Sequence, residues 1–190
     1  MKGMVFTELV ELVESRFGLE VVDGMLAPQG LASGGVYVAT GSYACDEIVV
    51  LLNRLSVSTG LPAPELLRCY GEHLFDRLRG MFPAFFEAPR DAFEFIATVN
   101  DVVHVEVRKL YPDAELPEFI CDRVEDRTLL LLYRSPRGLA DLAEGLITGC
   151  FRSYGEDIAI TRSDLSGGAM TEVAFLLTKH GAVAGTGKVA

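Results

Sequence analysis

Apolar residues recur along this chain at two different periods, and the change of period divides it. From Phe6 to Phe17, Leu9, Val13 and Phe17 stand at i, i+4 and i+8 with Glu8, Glu11 and Glu14 between them, the pattern of an amphipathic helix. A glycine-punctuated stretch follows from Pro28 to Gly41. The helical pattern returns in Asp46 to Thr59 through Ile48, Leu51, Leu52 and Leu55. It stops at Gly60, and Pro62 and Pro64 prepare a further helix, Pro64 to Arg79. The run DAFEFIATVNDVVHVEVRKLY has Asp91 as an N-cap and ends before Pro112. As one continuous helix it gathers Phe93, Ala97, Asn100, His104, Val107 and Tyr111 on one face.

After Pro117 the period falls towards two. Glu118 to Asp126 and Arg127 to Ser135 read as strands meeting near Glu125 and Asp126. Gly138 to Tyr154 returns to helix, with Gly145 and Gly149 permitting a close approach to a neighbour. Asp157 to Arg162 and Thr171 to Thr178 then form a hairpin across Ser166, Gly167 and Gly168. Helices first, then strands with one helix inserted, predict an α+β fold: an N-terminal helical subdomain packed on a small antiparallel sheet. We read residues 1–180 as a single domain and expect the Gly-, Ala- and Val-rich tail 181–190 to be disordered.

Composition narrows the function classes. A formal net charge of −10, with no basic stripe, opposes nucleic-acid binding. No apolar run approaches the ~20 residues of a membrane span, and glutamates interrupt any export signal in the first segment. Cys45, Cys69, Cys121 and Cys150 are far apart with no CxxC pair, as expected of reduced thiols in a soluble, cytoplasmic protein. Neither a phosphate-binding glycine loop nor a nucleophile–base constellation is present, so an enzyme is not expected.

Chemistry concentrates in a few residues. His180 adjoins the tail and His73 follows Glu72 on a helix, which leaves His104 on a mainly apolar stripe. A lone histidine there is more often a packed core residue than a metal ligand. In YRSPR, Tyr133 and Ser135 project from the same face of a strand end, and Arg137 follows at the strand-to-helix junction. Two hydroxyls and a guanidinium suit a pair of carboxylates, although an ordinary turn with a solvated arginine has the same sequence.

The segments MKGMVF, HVEVRKLYPDAELP and YRSPRGLADLAEGLITG together resemble the haem-nitric oxide/oxygen-binding (H-NOX) family, in order from Met1 to about Thr178. The resemblance implies haem b held between the two subdomains, with His104 as proximal iron ligand and Tyr133, Ser135 and Arg137 clamping the propionates. It implies that Pro117, thirteen positions after the histidine, presses on the haem. A distal tyrosine of O2-binding members falls on Leu142, and two other distal positions fall on Leu74 and Leu9, in a pocket that Val5 and Leu78 also line. Such an apolar pocket implies a sensor of NO, binding CO as well, that excludes O2 for want of a hydrogen-bond donor. The resemblance further implies a histidine kinase or cyclic-di-GMP enzyme as partner. No zinc is expected, because the last hairpin has no cysteine. A haem-free interaction module and an O2-binding haem protein are the alternatives.

Overall fold

The structure, a computed structural model, describes residues 1–180; the expected disordered tail, 181–190, lies outside the described residues. Four helices come first: α1 Gly3–Phe17, α2 Leu19–Met25, α3 Asp46–Thr59 and α4 Ala63–Met81. Their apolar stripes meet in one core of Phe6, Leu9, Val13, Ile48, Leu51, Leu55 and Tyr70. α3 has the expected bounds, closed by Gly60 in the left-handed conformation at φ 74°. α1 starts three residues before Phe6. Helix α2 was not foreseen: it has seven residues, one of them Gly24, too few to display a period, and it holds because Val22 and Met25 are buried.

The second half is a four-stranded antiparallel sheet in the order β1-β2-β4-β3, from β1 Glu118–Glu125, β2 Thr128–Arg134, β3 Ile158–Asp164 and β4 Glu172–Lys179. Alternation along β2 and β4 turns Leu129, Leu131, Tyr133, Val173, Phe175 and Leu177 inward. There they pack against Phe93, Phe95 and Ile96 of α5, Ala92–Thr98, and Ala143, Ile147 and Phe151 of α7, Ala140–Ser153. The α+β architecture expected from the two periods is the one observed. Among the described residues, no helix is long and apolar enough to cross a membrane.

The run from Asp91 to Tyr111 departs from expectation. Instead of one helix there are two, α5 and α6, His104–Leu110, joined by a π turn over Val99–Val103. The backbone N–H of His104 donates to Val99 O, five residues back. One residue is thereby inserted, and the face after the turn is rotated relative to the face before it. Ala97, expected on the same face as His104, is exposed, while Phe95 and Ile96 are buried.

α4 crosses α7 at backbone contact, and this crossing joins the two cores. A Cβ on Gly145 would overlap the carbonyl of Arg68, and one on Gly71 would overlap that of Leu142. Arg68 of α4 and Arg162 of β3 both donate to Asp141 of α7, at 2.7 and 2.6 Å, adding a charged tie beside the contact. Replacing Gly145→Ala is expected to lower stability by about 1–3 kcal/mol through overpacking. Thermal unfolding should show a fall of about 2–4 °C per kcal/mol; an unchanged midpoint would mean that the helices are free to separate.

Candidate functional site

Between the helical subdomain and the sheet lies a cavity of about 510 Å³, within the usual range for small-molecule sites. Its walls come from most of the elements that the sequence singled out. α1 contributes Met4 and Val5, α4 contributes Leu74, Phe75 and Leu78, and α7 contributes Leu142, Ala143 and Leu146. From α6 come His104 and Val107, followed by Leu116 and Pro117, and from the sheet Phe119, Leu131 and Tyr133, with Ser135 and Arg137 just beyond it. Leu9, assigned to the same pocket by resemblance, is elsewhere: it is fully buried in the N-terminal core and does not line the cavity. Val5 and Leu9 share a helix face, but only the end of that face that carries Val5 reaches the cavity.

His104 opens α6 and is 7 % exposed. Burial is the larger cause, and Arg108 the smaller, of a pKa lowered to about 4, so the imidazole is neutral at physiological pH. Its Nδ1 is buried with no hydrogen-bond partner among the described residues. Its ring lies 5.9 Å from that of Phe119, which in turn lies 5.7 Å from Tyr133. An orphaned polar atom of this kind is uncommon in a packed core. A neutral imidazole on a cavity wall is the form in which histidine ligates a metal. His73 is half-buried against α1 with Nε2 3.8 Å from Glu8 Oε2. It is not among the residues that line the cavity.

The three residues of the expected clamp converge at the end of β2. Tyr133 is buried, which raises its hydroxyl pKa above the ordinary value and keeps it a proton donor. Ser135 Oγ accepts from the Arg137 N–H at 3.3 Å. The Arg137 guanidinium donates to Glu115 twice, at 2.8 Å to its carbonyl and 2.9 Å to its carboxylate. The Glu115 side chain is largely exposed, so this pair is weak and can give way to another carboxylate. Lys2, at the same mouth, donates to Asp113 at 2.7 Å and faces the Tyr111 ring.

Sequence reasoning missed several of these residues. Lys2, Asp113 and Glu115 sit in segments without periodicity, where spacing predicts no neighbours. Phe119 could have been found, because alternation along β1 turns Phe119 and Cys121 towards the core and Ile120 outward.

Helical subdomain, small antiparallel sheet and a buried histidine beside a Tyr-x-Ser-x-Arg set define the H-NOX class of haem pocket. The family profile described as haem-NO-binding matches residues 2–162. This chain belongs to that family, whose members are haem-based gas sensors rather than enzymes. Among solved structures it is similar to the Fe(II) unliganded H-NOX protein of K. algicida, at 36% identity and TM-score 0.90 over 96% of this chain and 98% of that one. The Shewanella woodyi H-NOX, solved in the Fe(II)CO state with IWP-051, is 39% identical with TM-score 0.80 over 100% of this chain and 99% of that one. The S. oneidensis H-NOX in the Fe(II)NO state is 25% identical with TM-score 0.84, over 95% of this chain and 100% of that one. No curated protein matches the chain.

The low pKa of His104 carries a pH signature. The unfolded chain takes up this proton near pH 6.5 and the fold only near pH 4, so the fold loses stability as pH falls from about 6.5 towards 4. In haem-free protein, denaturant titrations across that window are expected to show a loss for the wild type that is smaller by about 2–3 kcal/mol in His104→Gln. Equal slopes would mean that His104 is exposed to solvent.

Proposed function

We propose that this chain is a haem-based NO sensor, in which haem b occupies the cavity with His104 on the iron. The placement of His104 on the wall of one cavity with Tyr133, Ser135 and Arg137 carries this reading. Tyr133, Ser135 and Arg137 are the donors for the two propionates, with Arg137 exchanging the Glu115 carboxylate for one of them. Pro117 forms part of the wall next to the ligand helix. Haem, when bound, supplies an iron that takes a diatomic gas.

Everything else is set by the chain. α1, the cavity-facing part of α4 and the start of α7 bring only apolar side chains: Met4, Val5, Leu74, Leu78 and Leu142. Bound O2 carries partial negative charge and needs a donor, whereas NO and CO depend on one much less, so this lining favours NO and CO over O2. His104 sits at the junction of the π turn and α6, a short helix. Release of His104 is therefore an event that the backbone can transmit as a displacement of α6 to a partner signalling protein. A histidine kinase or a cyclic-di-GMP enzyme is the partner class we propose. We place this function in the cytoplasm, which the four free, dispersed cysteines support. Haem is the one cofactor in this reading, with no zinc.

Two substitutions test it. His104→Gly is expected to lose native haem and to regain it with added imidazole, read as the Soret band of purified protein; full haem retention without imidazole would refute the ligand assignment. Leu142→Tyr introduces a donor and is expected to raise O2 affinity about tenfold to a hundredfold. O2 titration of the ferrous protein measures this, and unchanged O2 behaviour would mean that Leu142 does not face the bound gas.

A further inference from the structure

Metal-bound histidines are ordinarily oriented by a hydrogen bond from the other ring nitrogen to a carboxylate or carbonyl. His104 Nδ1 has no such partner among the described residues. Its orientation is left to the placement of α6 and to the ring against which it packs. The helix is interrupted immediately before the histidine, and the His104 amide itself closes the π turn.

One side chain within that turn hydrogen-bonds to the backbone of the sheet. Asn100 Nδ2 donates to Phe119 O, and the Phe119 N–H donates back to Asn100 Oδ1 at 3.2 Å. β1 is an edge strand, and the carboxamide pairs with both backbone groups of Phe119 as a neighbouring strand would. Phe119 is also the residue whose ring lies between those of His104 and Tyr133, and it is the cross-strand partner of Tyr133. The carboxamide therefore ties the π turn to a sheet residue whose ring adjoins both the ligand ring and the clamp tyrosine.

We propose that Asn100 is the positioning residue for the proximal ligand, fixing through Phe119 the angle at which His104 meets the iron and so the ease with which NO releases it. The inference rests on His104 as ligand. Asn100 touches neither haem nor gas in this account; it acts through the π turn and the Phe119 ring. A purely structural role would lower stability and leave the iron–histidine bond unchanged.

The experiment compares ferrous, haem-loaded wild type with Asn100→Ala, which removes both hydrogen bonds, and Asn100→Asp, which keeps only an acceptor for the Phe119 N–H. Resonance Raman reads the iron–histidine stretch, and stopped-flow absorption reads conversion of the six-coordinate NO complex to the five-coordinate one. In Asn100→Ala the stretch is expected to fall in frequency and the conversion to quicken about tenfold, equivalent to about 1.4 kcal/mol; Asn100→Asp should shift both in the same direction by less. Should Asn100→Ala fail to hold haem, Asn100→Asp carries the comparison. An unmoved stretch and rate, with only the unfolding midpoint lowered, would overturn the proposal while leaving His104 as ligand. A wild type with no iron–histidine stretch would overturn the ligand assignment itself.

Discussion

The backbone contact between α4 and α7 is the constraint on which the site depends. Apolar walls around about 510 Å³ tend to collapse inward, because each Å³ of lost packing costs roughly 24 cal/mol. In a domain whose net stability is only about 5–15 kcal/mol, the elements bearing those walls must be held rigidly. Gly71 and Gly145 let the two helices meet without side chains between them, and the Asp141 carboxylate holds Arg68 and Arg162 beside the crossing. α4 packs Tyr70 and Leu74 into one core and Phe75 into the other. The cavity lies where the two cores fail to merge.

Against that rigid side stands a less constrained one. α6 has seven residues, follows a π turn and carries exposed Val105 and Leu110, and His104 is its one buried residue. Few buried contacts mean a low cost of local displacement. A sensor needs such a contrast, since a ligand shifts a conformational equilibrium only by interacting differently with its two states. His104 couples the cavity to α6, and the Asn100–Phe119 pair determines where that coupling is anchored.

Much of this was legible in the sequence, and the failures share a cause. α3 and the four strands could be bounded because their period is sustained and their ends carry glycine or a turn. The Tyr133, Ser135 and Arg137 convergence followed from strand alternation and one junction. The π turn was illegible because Phe93, Ala97, Asn100 and His104 satisfy an uninterrupted helical spacing, so nothing in the period reports an inserted residue. Leu9 was misplaced because it shares a helix face with Val5, and periodicity fixes a face without fixing how far along it a cavity extends. The Arg137–Glu115 and Asn100–Phe119 pairs join a turn or loop to residues 22 and 19 positions away, which only the tertiary structure brings together.

In the proposed sensor, His104 presents a haem iron to a pocket that accepts NO and rejects O2. An anaerobic absorption spectrum of the reduced protein, repeated after NO and separately after air, tests it most directly. The expected result is a five-coordinate ferrous haem whose Soret band shifts with NO and which forms no stable oxy complex. A stable oxy complex, or no haem band even after reconstitution, would contradict it.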